Sequence, residues 1–133
     1  MVQPFQSSVD GSGETALVFV GDRFSHAVGK AGLLAADAGE TDRLWEREIT
    51  TPATATPGQL HVAEEVMAMV AARFGPTVYA RIDLVDDEAG WPRVLEVELV
   101  EPSLFLTAAN GAAQRLAVAV ANRVARPSRV SPL

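Results

Sequence analysis

The sequence predicts an α+β fold, an antiparallel sheet with two helices packed on one face, in a single domain over residues 1–126 with a tail at 127–133. Two observations predict it. Apolar strand-like segments come in pairs joined by short turns, as in antiparallel hairpins. A helix-like segment follows each pair, and the order hairpin, helix, hairpin, helix favours an antiparallel sheet with its helices on one face.

The first hairpin is predicted at residues 16–20 and 24–28. Both segments are mostly apolar, and the intervening Gly21-Asp22-Arg23 is typical of a tight turn. A short strand is predicted at residues 45–49. The Thr/Pro-rich residues 50–58 are expected to be a connector that leads to the first helix.

The first helix is predicted to begin at Pro57, because Thr56 can cap it and Gln59 can complete a capping box. It is expected to end at Gly75-Pro76. Its apolar residues recur at helical spacing and are predicted to face the core: Leu60, Ala63, Met67, Val70 and Phe74. The last helix is predicted over residues 111–124. Its predicted inner face is formed by Ala113, Leu116, Val120 and Val124.

The second hairpin carries carboxylates on otherwise apolar strands. Asp83 lies on its first strand, Glu96 and Glu98 lie on its second, and residues 86–90 form the turn. The two glutamates share a face because they are two residues apart in a strand, and Asp83 can lie opposite them. Converging carboxylates repel one another unless a cation or proton holds them. A hard divalent cation suits such ligands, so this hairpin predicts a magnesium site, with a solvated sheet face as the structural alternative.

Composition narrows the classes of function. The formal net charge is −6 and Lys30 is the only lysine, which argues against binding to nucleic acid or anionic membranes. The absence of cysteine excludes disulfides, thiolate zinc sites and cysteine nucleophiles, and fits a reducing compartment. No apolar segment approaches the ~20 residues that span a bilayer. We therefore expect a cytoplasmic protein without nucleic-acid or membrane partners.

Ser25 and His26 resemble a nucleophile and its base only superficially, because consecutive strand residues point to opposite faces. His26 is predicted to be a packed or hydrogen-bonded strand residue.

Several motifs, in order along the chain, resemble the ATP-grasp ligases, most closely their glutathione-synthetase-like branch. That family carries R-[IV]-D on one strand of a hairpin and E-x-N-x-x-x-P on the other. Arg81-Ile82-Asp83 and residues 96–102 have this spacing, with Glu98 in place of the asparagine. Further segments resemble a subgroup of small ATP-grasp proteins: Gln3-Pro4-Phe5, Gly13-Glu14 and residues 24–30, 79–83 and 96–105.

The resemblance implies ATP-dependent carboxylate–amine ligation through an acyl phosphate. The implied cofactors are ATP and Mg²⁺, with Mn²⁺ as the alternative metal, and the substrates are a small carboxylate and an amine. The implied metal ligands are Asp83, Glu96 and Glu98. Lys30 is placed beside the phosphates as a catalytic and cofactor-binding residue, and Gln3 and Phe5 fall where the hinge strand beside the adenine runs. Arg81 is either a catalytic phosphate ligand or the partner of a neighbouring acid.

The sequence departs from the family pattern in two ways. It begins at that hinge, so we expect the C-terminal half of an ATP-grasp domain, a fragment that is inactive unless a separate N-terminal half completes it. A glycine-rich substrate loop is not evident in residues 31–46. The alternatives are a non-catalytic α+β module or subunit that docks a protein on the open sheet face, and a plain divalent-metal protein. A homo-oligomer also remains open.

Overall fold

The computed structural model describes residues 13–31 and 50–125, and the structural statements below concern these residues. Outside them lie the predicted adenine contacts, a predicted strand and the tail: Gln3, Phe5, residues 45–49 and residues 127–133.

The described residues form five strands and two helices, and both predicted hairpins are each followed by a helix. These elements are β1 (Glu14–Val20), β2 (Arg23–Lys30), β3 (Thr50–Ala53), α1 (Pro57–Phe74), β4 (Tyr79–Asp86), β5 (Pro92–Glu98) and α2 (Ala112–Ala125). The strands form one sheet in the order β3-β2-β1-β4-β5, and each neighbouring pair is antiparallel. The predicted α+β class is therefore confirmed.

The first hairpin is longer than its apolar segments predicted. β1 and β2 stay paired as far as Glu14 and Lys30, whose side chains form an ion pair at the end of the ladder. Residues 50–53 were predicted to belong to a connector, and this is wrong, since they pair with β2 as β3. β3 is an edge strand, where Pro52 is tolerated because its missing N–H need not face a neighbour.

The helix α1 begins with the predicted capping box. The Gln59 backbone N–H donates to Thr56 Oγ1 (3.2 Å), and the Thr56 backbone N–H donates to Gln59 Oε1 (3.0 Å). The Gln59 amide also donates to Thr15 Oγ1 (3.3 Å), so the cap fastens the helix to β1. α1 ends at Gly75, whose φ of 78° lies in the left-handed region that favours glycine.

One face of the sheet packs against α1. Of the predicted inner face, Ala63, Met67 and Val70 are buried and Leu60 is half-buried, while Val66 joins them unpredicted. Phe74 was predicted to face the core and does not: it is the last residue of the helix and is 65% exposed, with the Arg73 guanidinium 5.5 Å from its ring centroid. The strands contribute Leu17, Phe19, Ala27, Ala80, Ile82 and Leu84 to this core.

The helix α2 lies against the β1–β2 hairpin, where Ala119 approaches Gly21 closely enough that a Cβ at Gly21 would lie 3.7 Å from its methyl group. Its predicted inner face is wrong for Val120 and Val124, which are 45% and 76% exposed, and for Ala113, which is exposed. Leu116 is half-buried, and Ala112 at the start of the helix is buried. Neither described helix is long and apolar enough to cross a membrane.

Replacing Thr56 with alanine is expected to lower the free energy of unfolding by about 1 kcal/mol, because the Gln59 N–H loses its cap. Thr107→Ala, at an exposed turn position, is the matched control and is expected to change it by less than about 0.5 kcal/mol. Urea unfolding monitored by circular dichroism measures both. Equal midpoints for the two variants would contradict the role of the cap.

Candidate functional site

The sheet face opposite α1 carries a group of charged side chains. The register pairs Glu14 with Lys30 across β1 and β2, and it pairs Asp83 with Glu96 and Arg81 with Glu98 across β4 and β5. Side chains alternate between the two faces of a strand, so these positions lie away from the core residues between them. We call this group the charged cluster: Glu14, Lys30, Arg81, Asp83, Glu96 and Glu98.

The centre of the charged cluster is the carboxylate of Asp83, which is 1% exposed. Lys30 Nζ donates to Asp83 Oδ2 (2.7 Å), and Arg81 Nε donates to Asp83 Oδ1 (2.9 Å). Each carboxylate oxygen therefore has its own cationic donor. A buried carboxylate is costly unless it is paired and hydrogen-bonded in this way.

The remaining carboxylates surround this centre with increasing exposure. Lys30 Nζ also contacts Glu14 Oε2 at 2.9 Å. Arg81 Nη2 contacts Glu98 Oε2 at 2.9 Å and Glu96 Oε2 at 3.5 Å. The side chains of Lys30 and Arg81 are 10% and 9% exposed, whereas that of Glu96 is 52% exposed. The charged cluster thus extends from the buried Asp83 on β4 to partly exposed carboxylates on the edge strand β5.

These contacts change the pKa values of both cations and of one acid. Burial acts to lower the pKa of Lys30 and of Arg81, but ion pairing outweighs it and raises both, chiefly through Asp83. Burial raises the pKa of Glu98 more than Arg81 lowers it, and the negative charges of Glu96 and Asp83 raise it further. Lys30 and Arg81 are therefore held in their charged forms, whereas ionisation of Glu98 is disfavoured.

The predicted metal ligands share one face but are engaged by protein cations. Among the described residues, no three His, Cys, Asp or Glu side chains are arranged as a metal site. Asp83 and Glu96 nevertheless face each other across β4 and β5, and Glu98 follows on the same face. Their donors are carboxylate oxygens, the type that Mg²⁺ prefers, so the residue set fits a hard divalent cation.

The two predicted catalytic residues, Lys30 and Arg81, lie in the charged cluster, and Arg81 makes the pairing with neighbouring acids that the sequence left open. Sequence reasoning did not include Glu14 among the site residues. Glu14 lies on the face of Asp83 because Ala16, two residues further along β1, pairs with Asp83 on β4, and this long-range register does not follow from local sequence. The contact of the Phe105 ring with Arg81 likewise gave no signal in the sequence.

At Ser25 and His26, the prediction that adjacent side chains point apart is wrong. The pairing of β1 with β2 shifts between Val18 and Phe19, which leaves Ser25 as the extra residue of a β-bulge. Ser25 Oγ consequently lies 2.9 Å from His26 Nδ1. The prediction that His26 is a hydrogen-bonded strand residue is confirmed, because its Nε2 lies 2.9 Å from the carbonyl oxygen of Leu104.

Comparison with known proteins identifies the fold. No family model matches the chain. The cycloserine biosynthesis protein DcsG of Streptomyces lavendulae is 39% identical over 127 residues, which are 93% of this chain and 42% of that protein. The crystal structure of D-cycloserine synthetase DcsG matches with a TM-score of 0.79 and 36% identity over 92% of this chain and 41% of that chain.

The chain has an ATP-grasp fold. A D-alanine–D-alanine ligase from Bacillus anthracis, complexed with ATP, shows the same fold with a TM-score of 0.53 and 19% identity over 84% of this chain and 38% of that chain. This chain spans about two fifths of the length of these relatives and corresponds to their C-terminal half. The resemblance to ATP-grasp ligases found in the sequence is confirmed.

Replacing Lys30 with methionine is expected to lower the free energy of unfolding by about 1–3 kcal/mol, because buried Asp83 loses one of its donors. The raised pKa of Lys30 means that this contribution is complete below its ordinary pKa of 10.5 and is lost as the pH rises through the higher folded value. Denaturant unfolding at neutral pH measures the loss.

The control for that variant is Arg93→Met, which removes an ion pair with Asp87 on an arginine that is 60% exposed. An exposed pair is expected to contribute less than about 1 kcal/mol. If the two variants lost similar amounts of unfolding free energy, the burial of Asp83 would not strengthen its ion pair with Lys30.

The variant Glu98→Gln is expected to gain stability relative to the parent as the pH rises from about 4 to about 7. The raised pKa of Glu98 means that its contribution is complete below the ordinary value of 4.5 and is lost as the pH rises through the folded value. Glu64→Gln, on the exposed side of α1, is the control. Parallel pH–stability curves for Glu98→Gln and the parent would refute the upward shift.

Proposed function

We propose that this chain forms the metal- and phosphate-facing wall of an ATP-dependent carboxylate–amine ligase that works through an acyl phosphate. The observation that supports this most directly is the charged cluster, in which two buried cations and four carboxylates share one sheet face. The ATP-grasp fold and the 39% identity to a cycloserine biosynthesis protein support the ligase class.

The charge balance of the cluster supports a divalent cation as its ligand. Four carboxylates face two cations, which leaves two negative charges in excess among these described residues. Burial, and after it the negative charges of Glu96 and Asp83, raise the pKa of Glu98. One Mg²⁺, or Mn²⁺ as the alternative, would balance it, held by Asp83, Glu96 and Glu98. When bound, the metal would neutralise charge on a phosphoryl group during transfer.

In the proposed enzyme, the chain's own cations orient the phosphates. Lys30 provides a compact positive charge and Arg81 a planar guanidinium that suits phosphate oxygens. Asp83 holds both on the same face, so the two positive charges are fixed before a nucleotide arrives. Preorganised charge of this kind stabilises the charge that develops during transfer without reorganisation at that moment.

The proposal extends to the location and partners of the enzyme. We place it in the cytoplasm, with a small carboxylate and an amine as its substrate pair. The rest of the nucleotide cleft is proposed to come from an N-terminal half, separate or on the same polypeptide, because the relatives are more than twice as long as the matched region.

The proposal is tested by ATP binding to this chain, alone and mixed with an N-terminal ATP-grasp half, with and without Mg²⁺. Isothermal titration calorimetry is expected to show Mg²⁺-dependent binding that is about 10- to 100-fold weaker in Glu96→Gln and in Asp83→Asn, on the scale of lost metal-site contacts. Glu96 is half exposed, so its variant also controls for loss of folding. Glu64→Gln on α1 is the charge control.

The outcomes separate the alternatives. Absence of ATP binding in every mixture would overturn the enzyme and favour a non-catalytic module. Metal binding without nucleotide binding would favour a plain divalent-metal protein. Equal Mg²⁺-dependent binding by Glu96→Gln and the parent would remove Glu96 from the ligand set.

A further inference from the structure

A chain of hydrogen bonds joins α2, the bulge of β2 and the segment that follows β5. Arg115 Nε donates to Ser25 Oγ (2.9 Å), and Arg115 Nη2 donates to the Ser25 carbonyl oxygen (3.3 Å). Ser25 Oγ lies 2.9 Å from His26 Nδ1, and His26 Nε2 lies 2.9 Å from the Leu104 carbonyl oxygen. We call this the clamp: Arg115, Ser25, His26 and Leu104.

The direction of each hydrogen bond in the clamp follows from its partners. A carbonyl oxygen only accepts, so His26 Nε2 carries the proton toward Leu104. A neutral imidazole then has its acceptor at Nδ1, and the Ser25 hydroxyl donates to it. Burial lowers the pKa of His26, which favours this neutral ring. Every polar atom of the Ser25 and His26 side chains is thereby used, and the imidazole is fixed in one tautomer.

The clamp ends one residue before Phe105, which lies over the charged cluster. The Phe105 ring centroid is 5.9 Å from Arg81 Cζ. Phe105 has a φ of 45°, in the left-handed region that non-glycine residues rarely adopt. Such a conformation costs of order 1–3 kcal/mol and persists only where the surrounding structure holds it. The His26 bond to Leu104 and the bond from Ala108 N–H to the Phe105 carbonyl oxygen (2.9 Å) provide that hold.

We propose that His26 is a positioning residue for Arg81, acting through Phe105. The hydrogen bond to Leu104 seats the Phe105 ring on the guanidinium. The ring excludes water from that side of Arg81, and the ion pairs of a cation strengthen when water is excluded. The importance of Arg81 for ligation rests on the proposed function, but its orientation is measurable without ATP.

The test is NMR of the full chain labelled with ¹⁵N-arginine, observing the Arg81 Nε–H. The His26→Phe variant keeps an aromatic ring at position 26 but loses the N–H that donates to the Leu104 carbonyl oxygen. The Arg81 resonance is expected to move as the Phe105 ring current is lost, and its solvent exchange to become about two- to fivefold faster, the factor that corresponds to ~0.5–1 kcal/mol for a partly exposed cation–π contact. Phe105→Leu, which removes the ring itself, is expected to give the same change.

Two further variants make the result specific to the hydrogen bond. His26→Gln keeps an N–H donor at about the reach of Nε2 and is expected to restore most of the parent exchange rate. His61→Phe, the same substitution at an exposed position of α1, is expected to leave Arg81 unchanged. A merely structural role for His26 would not distinguish glutamine from phenylalanine in a folded protein.

Unchanged Arg81 exchange in folded His26→Phe would overturn the proposal, as would equal effects of His26→Gln and His26→Phe. If His26→Phe does not fold, Ser25→Ala decides, because at this half-buried position it removes both the hydroxyl donor to His26 Nδ1 and the acceptor for Arg115 Nε, and so breaks the clamp on the α2 side of His26. Faster Arg81 exchange in Ser25→Ala supports the clamp, and unchanged exchange overturns it. Failure of ATP binding with an intact NMR effect would reject the ligase while leaving the positioning role in place.

Discussion

The carboxylate of Asp83, shared between Lys30 and Arg81, is the contact on which the charged face depends. Asp83 lies on β4, whereas Lys30 lies on β2, so the ammonium group must reach across β1, a distance of about two strand spacings or ~10 Å. The residue of β1 directly opposite Asp83 is Ala16, which is fully buried. A small side chain there leaves room for the lysine, and the ion pair therefore requires three strands in one register.

The hydrophobic core lies on one face of the sheet and the charged cluster lies on the other. The face against α1 is apolar and supplies the hydrophobic core. The ion pairs of the charged face contribute little to the free energy of unfolding by comparison, because desolvation of a buried ion pair offsets much of its Coulomb attraction. Replacing such a pair with well-packed apolar residues is often neutral or stabilising. This cost, together with the exposure of Glu96, supports the ligand that we propose for the charged cluster.

Local patterns predicted the parts of this structure that local forces determine. The cap at Thr56 and the face shared by Glu96 and Glu98 follow from spacing alone. Contacts that depend on tertiary register did not follow: the bulge at Ser25 reverses the ordinary alternation of side chains. The exposed Val124 shows that periodicity identifies an apolar face of a helix but does not say whether another element covers it.

Arg81 is the point where the charged cluster and the clamp meet, and this explains why the position requires more than a positive charge. A guanidinium offers donors at Nε and Nη to separate carboxylates, here Asp83 and Glu98, while its flat face remains available to a ring. A lysine would present a compact point charge, without separate Nε and Nη donors for the two acids and without a planar group to lie against Phe105. The register of β4 and β5 sets how their acids are spaced, and Arg81 joins these acids to Phe105 and, through it, to the segment that His26 holds.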